Sequence, residues 1–197
     1  MSILLLTLML LPFYAMDSVL GEEHKTSILE EIFKEIQLED LKSGIKSSLP
    51  GVKVNLDDVN TEHLLFMEKV REEYQIPFDL FYRLVWYENR FREQGASPKG
   101  ARGYMQVMPG TFRWISTQIE VSDINDPLDN IKAGAFYLSH QKEKMDMLYG
   151  WQWQGSEEYK WKMAVSAYNA GFSVHRVAAV GYRETREYVA FVFKLVS

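Results

Sequence analysis

The sequence predicts a mainly α fold. Apolar residues recur at three- and four-residue spacing in several separate stretches, and capping residues or Pro and Gly stand at the ends of those stretches. Nowhere do strands alternate with helices in the order that builds a parallel sheet. At 197 residues the chain has room for one domain with an appendage, and is long enough to bury a core. Its net charge of −5, with both signs interspersed, leaves no basic patch, which argues against a nucleic-acid surface. The absence of cysteine excludes disulfides, thiolate metal sites and cysteine nucleophiles, and leaves the compartment open.

Residues 1–21 open with an apolar run of 14 residues, Ile3 to Met16, that contains Pro12 and is closed by Asp17. A membrane span needs about 20 residues, so this run has the length of a secretory signal's apolar region. Val19 and Gly21 offer small residues for cleavage after Gly21, but no Lys or Arg precedes the run. A cleaved signal and an uncleaved N-terminal membrane attachment through residues 3–16 are therefore both open, and a buried helix of the fold is the third reading. Residues 22–60 form an amphipathic helix and a linker. Ile28, Leu29, Ile32, Phe33, Ile36 and Leu41 share a face, Thr26 or Ser27 is the expected N-cap, and Pro50-Gly51 ends the helix. Its polar face carries Glu30, Glu31 and Glu35, which anionic lipid would repel, so packing on a domain or linking it to a membrane fits better than lying on a lipid surface. Gly51 to Asn60 reads as a loop.

Helical spacing resumes at Thr61 with Leu64, Leu65, Met67 and Val70 and stops before Pro77. In the next stretch, FDLFYRLVWYENRF, Leu80, Phe81, Leu84 and Val85 make one apolar face, and Glu88 extends it, following Leu84 by four and Val85 by three. A carboxyl group at the edge of a core resists ionisation and can hold a proton near neutral pH, which suits a general acid. The residues alone also allow Glu88 to reach solvent or to pair with Arg83, Arg90 or Arg92. A Gly- and Pro-punctuated run, Gly95 to Thr111, follows directly; its glycines suit close approach of another backbone or a ligand. Asp126 is an N-cap with Pro127 at the first helical position, and Tyr159 to Ala170 forms a helix that Gly171 ends. The last helix includes Tyr188, Val189, Val192 and Leu195.

The run Glu88, Phe91, Ala96-Ser97-Pro98, Gly100-Ala101-Arg102-Gly103, Met105-Gln106, Met108-Pro109 and Thr111 resembles the signature of the soluble-type lytic transglycosylases, murein-cleaving bacterial relatives of goose-type lysozyme. NDPLDNIKAGAFYL, AYNAG and ETREYV follow in the family's order, so the resemblance covers residues 61–197 in four ordered blocks. It implies a lysozyme-like α domain there, with the residue 22–60 helix as an addition. It also implies a chemistry: Glu88 protonates the leaving oxygen of the MurNAc-GlcNAc β-1,4 bond and the substrate's N-acetyl group assists. The same Glu then takes the proton from the sugar's 6-hydroxyl, giving a 1,6-anhydromuramoyl end without consuming water. By position Ser97, Gln106, Met108, Tyr168, Asn169 and Glu184 match groups lining the family's glycan cleft; for each polar one, an internal hydrogen bond is the competing assignment. The family's chemistry needs no cofactor, and the histidines at 24, 63, 140 and 175 lack metal-ligand spacing.

Two positions depart from the pattern. Asn89 stands where the family has Ser, and Tyr104 where it has Leu, which bears on substrate positioning and rate more than on reaction type. Of the tryptophans, 86, 114, 151, 153 and 161, most fill the core, with Trp151 and Trp153 the likelier sugar platforms. Two rivals remain. A muramidase that uses water would need a second carboxylate, with Glu93 and Glu184 the candidates; a glycan-binding or assembly protein would keep the fold without turnover. The expected partner is peptidoglycan glycan, and the expected place is the periplasm or a membrane facing the wall. Wall turnover, a secretion apparatus that must open the wall and a phage particle that must cross it are all compatible contexts.

Overall fold

The computed structural model describes residues 22–149, 156–171 and 183–193, and is helical nearly throughout them. Seven helices occur among the described residues: α1 Glu22–Ser48, α2 Thr61–Glu73, α3 Phe78–Asn89, α4 Pro109–Ile115, α5 Pro127–Tyr149, α6 Glu157–Ala170 and α7 Arg183–Phe193. No strand is found there, only two isolated bridges, Ala96 to Arg102 and Arg102 to Val107. The expected apolar segment at residues 3–16, and Trp151, Trp153 and Leu195, lie outside the described residues.

The chain divides into two units between Gly44 and Ile45, inside α1. In the first unit, α1 is already helical at Glu22, ahead of the cap expected at Thr26 or Ser27. Of the apolar stripe expected on it, Leu41 is buried while Phe33 and Ile36 are exposed.

In the second unit the helix boundaries follow local chemistry. Asn60 caps α2, its Oδ1 accepting from the N–H groups of Glu62 at 2.8 Å and His63 at 3.4 Å. Pro77 precedes α3, and Arg90 ends it in the left-handed region, φ 55°. Asp126 caps α5 through the Asp129 N–H at 2.9 Å, with Pro127 first in the helix, as expected. Ser156 caps α6, which starts two residues ahead of the expected Tyr159, and Gly171 ends it at φ 83°. Residues 51–60 are turns and irregular backbone that bury Leu56 and Val59.

Helices α5 and α6 form the most extensive packing pair; α7 lies against α6 and α3, and α2 against α5. The core holds Leu64 and Met67 of α2, Phe81, Leu84 and Val85 of α3, Ile131 and Leu138 of α5, Val165 of α6 and Tyr188 of α7. Arg83, 4% exposed, is a buried tie. Its Nε donates to the Ser48 carbonyl at 2.7 Å, Nη1 to the Val192 carbonyl at 3.3 Å, and Nη2 to Asp79 Oδ2 at 3.1 Å. Gly134 lets α5 approach the loop after α3, because a Cβ there would overlap Met105 at its Cβ and Cγ. Atoms so near the Met105 backbone cannot swing aside, so Gly134→Ala is expected to cost about 1–3 kcal/mol of stability, read as a lowered urea midpoint with an unchanged slope.

Candidate active site

Glu88 stands in the last turn of α3, half-buried, where the apolar face of that helix meets α7. Tyr188, fully buried on α7, donates its hydroxyl to Glu88 Oε1 at 2.6 Å. Tyr87 meets the Tyr188 ring edge-on at 4.7 Å. None of the three nearby arginines pairs with the acid. Arg83 is bound as described; Arg90 lies over the Trp86 ring, 3.5 Å from its centroid, and donates to the Trp86 carbonyl; Arg92 donates to the Asn89 carbonyl. Burial therefore dominates and pushes the Glu88 carboxyl up to about 7, while the Tyr188 hydrogen bond pulls the other way by favouring the ionised form. No second carboxylate contributes among the described residues. Glu93 lies instead beside His63, 3.7 Å from its Nδ1, and Glu184 is exposed on the first turn of α7.

The loop after α3 forms the adjoining wall, and its shape is held by side-chain amides. Asn89, 7% exposed, shares its Nδ2 protons among the carbonyls of Arg92 at 2.8 Å, Gly103 at 3.1 Å and Gln94 at 3.3 Å. A serine there has one proton and a shorter reach, so the larger residue is used to pin the loop. Asn130 of α5 grips it from the other side: Oδ1 accepts from the Met105 N–H at 3.0 Å, and Nδ2 donates to the Arg102 carbonyl at 2.9 Å. Gly103, at φ 72°, is where a Cβ would strike the Asn130 amide. Tyr104 is buried with its hydroxyl 3.1 Å from His63 Nδ1, so this departure from the family pattern faces inward rather than toward substrate.

Among the expected cleft residues, Tyr168 comes closest in role to Glu88. Its hydroxyl donates to the Met105 carbonyl at 2.6 Å, and burial together with the Glu88 charge holds it well above the ordinary phenol range. Gln106 adopts φ 46°, and its amide donates to the Gly103 carbonyl at 2.9 Å; Met108, 41% exposed, precedes α4. Asn169 is exposed, with Oδ1 accepting from the buried Thr185 hydroxyl at 3.1 Å, which ties α6 to α7 one residue from Glu184. Ser97 closes a tight turn, its Oγ accepting from the Ala101 N–H at 3.1 Å. Tyr188 was not singled out by sequence reasoning. The available signal was a tyrosine on the inward face of α7, between Thr185 and Val192, whose hydroxyl requires a partner when buried.

The family described as the transglycosylase SLT domain matches residues 66–189, well over half of the chain. The chain belongs to this family. Among similar proteins, the SLT domain is 29% identical over 119 residues to the membrane-bound lytic murein transglycosylase F of Alcanivorax borkumensis, covering 60% of this chain and 23% of that one. It is 26% identical over 148 residues to the membrane-bound lytic murein transglycosylase C of Haemophilus ducreyi, covering 70% of this chain and 39% of the relative. The chain thus spans well under half the length of these relatives. In fold it matches the X-ray structure of an inactive mutant of the lytic transglycosylase Slt from Pseudomonas aeruginosa, with a TM-score of 0.55 over 70% of this chain and 24% of that chain, at 23% identity. The lysozyme-like α architecture expected for the SLT domain is therefore present.

The raised Glu88 value makes the fold sensitive to pH in a defined direction. The folded chain keeps a proton that the unfolded chain releases between about pH 4.5 and 7, so ionisation weakens the fold as pH rises through that window. Glu88→Gln should raise stability by about 2–3 kcal/mol at pH 8 and by far less at pH 4.5, measured by thermal melts at both values. Equal gains at the two pH values would mean that the carboxyl is well solvated.

Proposed function

We propose that this chain cleaves the murein glycan by non-hydrolytic transglycosylation, with Glu88 acting first as acid and then as base. The observation that carries the proposal is a single half-buried carboxyl raised to about 7, held by a tyrosine and coupled to no second carboxylate. A hydrolytic pair needs another carboxylate across the bond; of the two candidates, Glu93 lies beside His63 and Glu184 is exposed on α7. The names of the relatives, lytic murein transglycosylases described as membrane-bound, agree with this substrate and with a place at the wall.

In the proposed sequence Glu88 gives its proton to the glycosidic oxygen and the C1–O bond breaks, the departing sugar leaving as a neutral alcohol. The acetamido oxygen of the reacting sugar bonds to C1 and carries the positive charge as an oxazolinium. Glu88, now a carboxylate, removes the proton from the 6-hydroxyl; O6 bonds to C1 and the oxazolinium opens. The proton returns to Glu88, so the acid is regenerated with no water consumed. Tyr188 supports the carboxylate stage by donating to Oε1, and the Met105 carbonyl keeps the Tyr168 ring in place beside it. In this reading Gln106, Met108, Asn169 and Glu184 serve as substrate contacts, with Ser97 shaping the loop that carries the first two. Residues 61–197 form the catalytic domain in this reading, residues 22–60 its helical extension, and residues 1–21 the element for export or attachment.

Two measurements test the proposal. Mass spectrometry of murein digested by the wild type should give 1,6-anhydromuramoyl ends that vanish with Glu88→Gln; reducing ends would assign a muramidase, and no cleavage on any murein a binding protein. The initial rate at low substrate should fall as pH rises past about 7, because the protonated acid disappears. Tyr188→Phe removes the bond that favours ionisation, so that limb should move to higher pH. A limb that stays in place would detach Tyr188 from the acid.

A further inference from the structure

One buried polar cluster has no part in the mechanism above. His63, in the first turn of α2, and Tyr104, in the loop after α3, are both buried, with the Tyr104 hydroxyl 3.1 Å from His63 Nδ1 and the two rings edge-on, centroids 5.7 Å apart. Burial pushes the Tyr104 phenol above its ordinary range, so the hydroxyl keeps its proton; a neutral imidazole donates or accepts at Nδ1 according to its tautomer. Glu93 Oε2 stands 3.7 Å from the same nitrogen, at the more exposed edge of the cluster. A leucine, the residue of the family pattern at this position, would fill the space with no polar atom to satisfy. Buried polar groups cost free energy unless they meet in good geometry, so the pair fixes the distance between loop and helix where a leucine would only pack.

Tyr104 is also the centre of the most closely held stretch of the loop. The Gly103 carbonyl accepts from Asn89 Nδ2 at 3.1 Å and from Gln106 Nε2 at 2.9 Å. The Met105 N–H donates to Asn130 Oδ1 at 3.0 Å, and the Met105 carbonyl accepts from the Tyr168 hydroxyl at 2.6 Å. These bonds tie the stretch to α3, α5 and α6, and the Tyr104 side chain adds α2. The ties reach the acid. Tyr168, which feels the Glu88 charge, is held by the carbonyl one residue beyond Tyr104, and Gln106 is two residues beyond.

We propose that Tyr104, through its hydrogen bond to His63, is a positioning residue for glycan cleavage: it holds the Met105 carbonyl, and with it the Tyr168 ring beside Glu88, in the place that the reaction requires. The inference rests on the reading that Glu88 cleaves a murein glycan. It adds to that reading a function for a position at which this chain departs from the family pattern.

The test uses the full-length chain on soluble, uncross-linked murein glycan strands and counts the chain ends released. Tyr104→Phe keeps the ring and removes the hydroxyl; it should lower kcat about ten-fold and leave KM within about two-fold, because displaced reacting groups slow the chemistry more than they weaken binding. His63→Leu should lower kcat by the same factor, and the double variant should be no slower than either single one, since both remove one bond. His63→Asn offers an amide donor or acceptor near the position of Nδ1 and should keep kcat within about two-fold of the wild type. Should one variant lose cooperative unfolding in thermal melts, the remaining two carry the comparison. A Tyr104→Phe chain with unchanged kcat, a loss confined to KM, or a His63→Asn chain as slow as His63→Leu would each overturn the inference. Reducing ends in place of anhydro ends, with kcat still dependent on Tyr104, would defeat the transglycosylase reading and leave the positioning role standing. A wild type that cleaves no strand would overturn both.

Discussion

The site depends on keeping one carboxyl out of water with no cation beside it. Arginines surround Glu88 in sequence, at 83, 90 and 92, and one at contact distance would drive the carboxyl well below its ordinary value and abolish its use as an acid. Each is occupied elsewhere, and the occupations are themselves structural. Arg83 binds the carbonyls of Ser48 and Val192 and the Asp79 carboxylate, so it fastens α7 to α3 while leaving Glu88 unpaired. The Tyr188 hydroxyl depends on the same fastening, because Val192 is one helical turn beyond it. A single buried guanidinium thus fastens the helix that carries the acid's hydrogen-bond donor.

Fixing the acid would be of little use if the opposing wall were loose. That wall is irregular backbone, which has no helix ladder to hold it, and two asparagines supply what the ladder would have given. Asn89 gathers three carbonyls from within the loop, and Asn130 holds the Met105 N–H and Arg102 carbonyl from α5. The Tyr168 hydroxyl takes the Met105 carbonyl from α6, so this one residue's peptide groups are bound to two helices at once. Preorganised walls of this kind allow an acid to be presented without reorganisation during the reaction.

Much of this was legible in the sequence. Periodicity placed α2, α3 and α7, the Asp126-Pro127 pair marked the start of α5, and Gly171 marked the end of α6. Glu88 was identifiable as an acid at a core edge because three- and four-residue spacing settles which face a side chain occupies. What spacing does not encode is the partner across the interface. Tyr188 lies a hundred residues away from Glu88 in the chain, and its period matched any core aromatic. Asn89 read as a departure that would disturb substrate contacts, whereas its neighbours in space turned out to be loop carbonyls brought round by the left-handed residues Arg90 and Phe91. The cap expected at Thr26 or Ser27 falls inside α1, which is helical from Glu22 among the described residues.

An acid that must later serve as a base needs both protonation states within easy reach, and the environment of Glu88 opposes two effects to achieve this. Burial favours the neutral carboxyl; the Tyr188 hydroxyl favours the carboxylate. Either alone would commit the group, burial to a proton it releases with difficulty, the hydrogen bond to a charge that cannot attack a glycosidic bond as an acid. The balance holds only if the tyrosines themselves stay protonated. Burial keeps both Tyr188 and Tyr168 far above the ordinary phenol range, and the Glu88 charge reinforces this when it appears. The phenols thus remain donors through both states while the Glu88 proton moves near neutral pH.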